Sequence, residues 1–506
     1  MALSTNLRDY LLNGLRDIPG TREFHIHVLV SSPRKFQGLF PFAQPRPRSY
    51  LQDILVLLSE QTTPDSSRVL TTAIEACVYN IPTTSSAIFY VSKVDTTGQS
   101  SSPSPAAALV RSLLTYYADP TTRPISADHL WIHFGKHPLS DVKLCAWWKR
   151  VLSDMANTVC ARGDTTDTVL RLYYVLPGYS QLEAEQSLAR AAAAASANPK
   201  SLWIYGHPYS QKDIPLPCPA PTPDPQRKQQ NLGHFIPTFD DDPKSRFMDE
   251  IGCIDTEGIR SPPKKRPRIT VQHSNAADVT QEAAAEKDQA GGKEERILGE
   301  LGKVSADEFW ERMSFRQECV AGAVTGFFVV GISCPSSSRS LSGTSPLAPS
   351  PGQVSCQLIK RVLSSLMTGL EFSTVERSIK ATETLEGAIR GLCEGLAPIP
   401  TPPRTTANTR DSDRRTPEPD GSRTLLAAPS TPRRGKAYIP DVSPNPFPEP
   451  VTSLETYHSH IYGSKCVSNP PLPPKTEAGT EKTSVPTEPA PHVTVLTVRK
   501  KKKRVE

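Results

Sequence analysis

The 506-residue sequence has no run approaching about 18 consecutive apolar residues, which excludes a membrane-spanning helix. Met1 to Arg16 mixes polar and apolar residues and lacks a secretory apolar region, so the expectation is a soluble intracellular chain. The ten cysteines are scattered without a single C-x-x-C pair, which argues against a cysteine zinc site or a disulfide framework and for reduced thiols filling core space. A G-x-S-x-G elbow, a P-loop and a G-x-G-x-x-G fingerprint are all missing, so hydrolase and NTPase readings lose their usual support. No internal repeat indicates a solenoid. No zinc-finger, basic-zipper or helix-turn-helix pattern accompanies the cations, which excludes sequence-specific DNA reading.

What is abundant is proline. The 50 prolines are about twice the usual share and point to long unfolded stretches beside a folded part, for which 37% hydrophobic residues suffice. Net charge is modest, 58 cations against 52 anions, and its location matters more than its size. One cationic cluster, Lys264-Lys265-Arg266, lies mid-chain among prolines, and another, Arg499 to Arg504, lies near the end. This pairing fits nuclear import, or electrostatic contact with nucleic acid or its handling proteins.

Patterning divides the chain. Leu7, Leu11, Leu12 and Leu15 share a helical face, and Phe24 to Val30 alternates as a half-buried strand. Ala87 to Val91 reads as a second strand running into the turn-like Asp95 to Gly98. Asp141 to Val159 reads as an amphipathic helix, and Val169 to Leu176 as a buried strand stopped by Pro177-Gly178. Residues 208–230 are proline-rich and read as loop; residues 256–293 read as a disordered charged insert. Ser305-Ala306-Asp307-Glu308 has capping-box spacing and opens a helix through Phe309, Trp310, Met313 and Phe315. The apolar run Gly326 to Gly331 follows, and helical patterns over Val354–Leu370 and Thr374–Leu396 close a folded unit of residues 1–395. From residue 396 to 506 the expectation is a disordered Pro/Ser/Thr-rich tail.

Three places carry chemistry. His129, His133 and His137 have the spacing of metal ligands on a helix, but Gly135 and Pro138 interrupt it and no carboxylate completes the set, so they read as ordinary histidines. Phe239-Asp240-Asp241-Asp242-Pro243-Lys244-Ser245-Arg246-Phe247 places three carboxylates and two cations between aromatic anchors. It is either a solvated turn whose ion pairs contribute little, or an acid–base cluster held in low dielectric by Phe239 and Phe247. Ser92 to Gly98 sits at a strand end, where ligand-binding loops are common, and Trp147-Trp148 leaves one indole near the helix stripe's edge.

Together, Tyr90 to Gly98, Lys136-His137-Pro138-Leu139, Trp147-Trp148, Asp241 to Phe247, and Phe309-Trp310 through Arg316-Gln317-Glu318 resemble the fungal histone acetyltransferases that modify a globular-core lysine of histone H3. The resemblance implies a mixed α/β fold, a central mixed sheet wrapped by helices, like that of the CREB-binding-protein acetyltransferases. It implies acetyl-CoA as co-substrate and no metal. Val94, Asp95, Thr96, His137, Pro138, Leu139 and Trp147 match cofactor contacts; Trp148 matches the tryptophan beside the lysine channel. Asp242, with Asp241 beside it, matches the general base, and Lys244 matches an autoacetylated lysine. It further implies a nuclear enzyme acting in chromatin assembly and DNA-damage response. Its histone H3–H4 substrate would be delivered by chaperones of the anti-silencing-function and nucleosome-assembly types. The rival reading is a catalytically impaired nuclear scaffold that retains the fold. The loop Ser104 to Ala108 offers no cation for a pyrophosphate, leaving Arg111 or backbone amides of the following helix to that role.

Overall fold

A computed structural model describes residues 6–125, 127–134, 142–162, 168–192, 203–219, 231–240, 242–252, 300–316, 324–334, 345–394 and 447–471. Lys136, His137, Pro138, Leu139, Asp241, the insert at 256–293 and the final basic cluster lie outside the described residues. Eleven strands form one sheet: β1 (Gly20–Ser31), β2 (Arg34–Phe36), β3 (Ser49–Gln61), β4 (Val69–Ile81), β5 (Ser86–Thr96), β6 (His129–Phe134), β7 (Val169–Val175), β8 (Trp203–Tyr205), β9 (Phe327–Ser333), β10 (Gln353–Val354) and β11 (Tyr462–Asn469). The order is β10-β1-β3-β4-β5-β6-β9-β7-β8, with β11 on β1 and β2 on β3. The helices are α1 (Leu7–Gly14), α2 (Ala106–Ala118), α3 (Val142–Arg162), α4 (Gln181–Ala191), α5 (Pro243–Gly252), α6 (Ala306–Met313), α7 (Cys356–Thr368) and α8 (Val375–Glu394). The mixed α/β architecture is the expected one.

The long strands β3 and β4 escaped the sequence reading for a physical reason. Ile54, Val56 and Leu58 enter the core beneath α1, α2 and α3, whereas the alternate residues Leu55 and Leu57 pack on α7 and α8. A strand covered on both faces reads as a continuous apolar run and loses the period-two signal. The strands β1, β5 and β7 and the helix α3 lie where expected, within a few residues at their ends, but β1 is not half-buried: Phe24 to Leu29 are all buried, His25 and His27 included.

Two local expectations change. Ser305 accepts from the Glu308 amide at 3.1 Å, but the Glu308 carboxylate pairs forward with Arg312 instead of reaching back. The reciprocal box stands at Ser180 and Glu183, opening α4. Phe315 falls beyond α6, which ends at Met313, and is exposed. The cysteines among the described residues are free thiols, Cys145, Cys218 and Cys393 among them buried, and no described helix is long and apolar enough to cross a membrane.

Residues 447–471 depart from the disordered-tail expectation. β11 runs antiparallel to β1 from Gly20 to His27, so main-chain pairing, which composition does not report, brings this stretch into the fold. Its anchors are Tyr457 and Ile461, buried against α7 and α8, and Tyr462. Tyr457 hydroxyl lies 3.0 Å from His27 Nε2, and Tyr462 hydroxyl 3.0 Å from His25 Nδ1. His27 is held down to about 4 by burial, opposed by Glu386 and reinforced by Arg68 and His25.

The folded chain therefore refuses a proton that the unfolded chain accepts below about pH 6.5. The stability linked to His27 is complete above that pH and is lost as pH falls toward 4, on the order of 3 kcal/mol in all. Thermal unfolding from pH 7.5 to 4.5 should show a steeper loss for the native chain than for His27→Gln. Parallel curves for the two would refute the assignment.

Candidate active site

The turn at Asp242 is built by backbone chemistry before any side chain does work. Pro243 opens α5, where its missing N–H costs nothing and its fixed φ suits the helix. Asp242, just before it, accepts the Lys244 amide on Oδ1 at 3.0 Å, the bond of a helix-capping carboxylate. Ser245 Oγ accepts the Phe239 amide at 2.7 Å and closes the approach to the helix.

Aromatic packing then buries the turn. Phe239 stacks on Tyr90 of β5 at 4.0 Å between ring centroids with planes 7° apart, and Phe247 packs on Phe309 of α6 at 5.0 Å. Both phenylalanines act as the anchors their flanking positions suggested. The solvated-turn reading fails for Asp242 and Lys244, which are 1% and 2% exposed, while Asp240 remains at the surface. Lys244 Nζ lies 3.0 Å from Asp242 Oδ2 and 5.1 Å from the centre of the Phe327 ring. The ion pair is thus enclosed by apolar rings. Tyr209 is also buried nearby, its hydroxyl pushed up by burial and by the Asp242 charge.

The sheet brings distant segments to the same end. β5 and β6 are parallel, β9 runs antiparallel to β6, and β7 antiparallel to β9, so β5, β6 and β7 end together where β9 begins. Ligands of open α/β sheets commonly bind beyond such carboxyl ends. Val91 pairs with Phe134, the last residue of β6, so Val94, Asp95 and Thr96 project past it. Val94 packs on the apolar cluster that also carries Trp147 and Trp148 of α3, while Asp95 and Thr96 are exposed. Trp148 lies 4.7 Å from the Phe134 ring and 4.9 Å from Trp147, edge to face. One turn before Trp148, Cys145 leaves no room at Gly326: a Cβ there would sit 3.0 Å from its sulfur. α3 therefore presses on the backbone immediately before Phe327, whose ring meets Lys244 and Trp310. Trp148, packed on Phe134 at the end of β6, and Lys244, packed on Phe327 at the start of β9, thus lie toward the same end of the sheet, in separate apolar clusters.

His129 and His133, already read as ordinary histidines, belong to strand β6; four residues along a strand span about 13 Å, too far for a shared ion. No cluster of three or more His, Cys, Asp or Glu placed for a metal occurs among the described residues. Arg111, offered for a pyrophosphate, is partly exposed and lies 3.6 Å from Asp154 of α3. The sequence reading missed His133, Tyr209 and Phe327 as site residues. For His133 the signal was present, since it alternates with Ile132 and Phe134 in a strand pattern.

The fold and site define an α/β protein with a buried carboxylate–lysine pair beside a tryptophan-bearing helix at the carboxyl ends of its sheet. Residues 133–388, half of the chain, match the histone acetyltransferase KAT11-type domain, and the chain belongs to that family. A stretch of 111 residues is 33% identical to the histone acetyltransferase rtt109 of Aspergillus flavus, covering 22% of this chain and 14% of that protein. The fold is similar to the crystal structure of Rtt109 from Aspergillus fumigatus, with a TM-score of 0.51 at 21% identity, over 76% of this chain and 96% of that one.

Burying two charges is costly, and removing one of them leaves the other uncompensated. Asp242→Ala should lower unfolding free energy by about 3–5 kcal/mol. Replacing the pair by Asp242→Leu with Lys244→Met should cost less than that single change. Urea unfolding measures both; a single-variant loss below about 1 kcal/mol would place the pair in water instead.

Proposed function

We propose that this chain transfers an acetyl group from acetyl-CoA to a lysine of histone H3. The observation that carries the reading is the buried Asp242–Lys244 pair at the sheet end that also holds Val94 and the two tryptophans. Membership in a histone acetyltransferase family implies acetyl-CoA as co-substrate. The half-buried indoles and Val94 suit its apolar arm, with Trp147 as a contact and Asp95, Thr96, His137, Pro138 and Leu139 as further contacts. Acetyl-CoA supplies the activated thioester; this chain's residues supply position and proton transfer.

A lysine amine with a pKa near ~10.4 is almost wholly protonated at neutral pH, and only its neutral form attacks a thioester. Asp242 is the proton acceptor in this reading, assisted by Asp241, and Trp148 walls the channel that admits the guest side chain. While Lys244 is a cation 3.0 Å from Oδ2, Asp242 is already engaged. Autoacetylation of Lys244 removes that charge and frees the carboxylate, which gives the modification a physical reason to activate.

The partners follow from charge and family. Histone H3–H4 is the substrate, delivered by chaperones of the anti-silencing-function and nucleosome-assembly types. The cationic clusters at Lys264 to Arg268 and Arg499 to Arg504 suit nuclear import and acidic chaperone surfaces. The setting is the nucleus, in chromatin assembly and the DNA-damage response.

Incubation with radiolabelled acetyl-CoA should label Lys244 in the chain alone and H3 when histones are added. Asp242→Asn should reduce kcat about 10²–10⁴-fold, and Lys244→Arg should also lower turnover. A chain that labels neither Lys244 nor H3 would be the inactive scaffold. Deleting Arg499 to Glu506 should weaken chaperone-dependent acetylation more than chaperone-free acetylation; equal losses would remove the tail from chaperone contact.

A further inference from the structure

His133 is the buried titratable group that the chemistry above leaves without a task. It occupies the penultimate position of β6 and is 2% exposed, with its ring 5.6 Å from that of Phe239. The Lys244 ammonium lies 6.0 Å from the same Phe239 ring and acts electrostatically on the imidazole. Burial first, and then that cation, hold His133 well below the ordinary imidazole range, so the ring is neutral and carries one N–H. Its Nδ1 nevertheless has no hydrogen-bond partner.

A buried polar atom without a partner costs stability, and its persistence asks for another state in which the partner arrives. In the tautomer with the proton on Nδ1, unmodified Lys244 cannot satisfy that N–H, because an ammonium only donates. Acetylation changes the inventory at that spot. The Lys244 nitrogen forms a bond to the acetyl carbon and the thioester C–S bond breaks. CoA leaves as the thiol, and the amine's surplus proton passes through Asp242 to solvent. Where a cation stood there is now an amide with a carbonyl oxygen, and that oxygen needs a donor in an enclosure lined by Phe239 and Phe327. We propose that His133 is the built-in receptor for this modification, its Nδ1–H donating to the acetyl carbonyl of Lys244 and holding the modified side chain away from Asp242. His133 is thus a positioning residue, and its role rests on the acetyltransferase reading above.

The test compares chains carrying acetyl-lysine installed at position 244 with chains unmodified there, using histone H3 and acetyl-CoA. In the native chain acetylation should raise kcat with little change in KM. His133→Leu, which keeps bulk but no donor, should reduce that acetylated-to-unmodified kcat ratio at least threefold. His133→Asn, which returns an N–H near the Nδ1 position, should restore it. Infrared spectra of a carbon-13-labelled acetyl group report the bond without reference to turnover. The carbonyl band should be shifted down in the native chain and move up in His133→Leu. An unchanged ratio together with an unmoved band overturns the proposal while leaving the enzyme reading intact. A native chain inactive on H3 in both forms removes that reading, and this proposal with it.

Discussion

The interaction on which the site depends is one carboxylate held against one ammonium out of reach of water. Two buried charges are tolerated only where geometry and surrounding contacts compensate their desolvation. Asp242 supplies one oxygen to the Lys244 amide and the other to its ammonium, so a single side chain caps a helix and neutralises a cation. The enclosure is made by rings from separate elements: Phe239 stacked on Tyr90, Phe247 on Phe309, and Phe327 over the ammonium. Because the partner of Asp242 is a lysine, the pair can be changed by neutralising that lysine, without moving the backbone.

Placement of the pair follows from sheet topology. β9 enters antiparallel between β6 and β7, so its first residues lie where its neighbours end. That arrangement lets α3 press on Gly326 from one face while the α5 turn reaches Phe327 from the other. The opposite margin of the sheet is completed from far along the chain, where β11 covers β1 and two tyrosines meet buried histidines. Stability of that margin and chemistry of the site are thus carried by different parts of one sheet, linked through the strands between them.

How much was legible varied with how each segment is buried. The amphipathic α3 announces itself by period from Leu144 to Val159, and Phe24 to Val30 does so because His25 and His27 alternate with apolar residues, although both histidines are buried. β3 and β4 do not, since residues on both of their faces are apolar. Histidines four apart suggested a helix, yet β6 separates them along an extended chain. The capping serine at position 305 was readable, but not that Glu308 would prefer Arg312. The stretch from Val451 to Asn469 lacks the prolines of its surroundings and carries Tyr457, Ile461 and Tyr462, a signal too short to announce a strand that pairs with one hundreds of residues earlier. Asp240 and Asp242 look equivalent in the sequence, although one is exposed and the other enclosed.

By itself the sequence determined the local chemistry: Pro243 after a carboxylate starts a helix, aromatic residues bracket the charges, and the ordered motifs carry the family likeness. Tertiary structure alone decided which charges lose water, because dielectric environment is set by rings contributed from β5, β9 and α6. It also decided that the tryptophans of α3 and the Asp242 turn share one end of the sheet. Local preference acts over a few residues, whereas desolvation and proximity are properties of neighbours far along the chain, such as Tyr90 and Phe327 around Lys244.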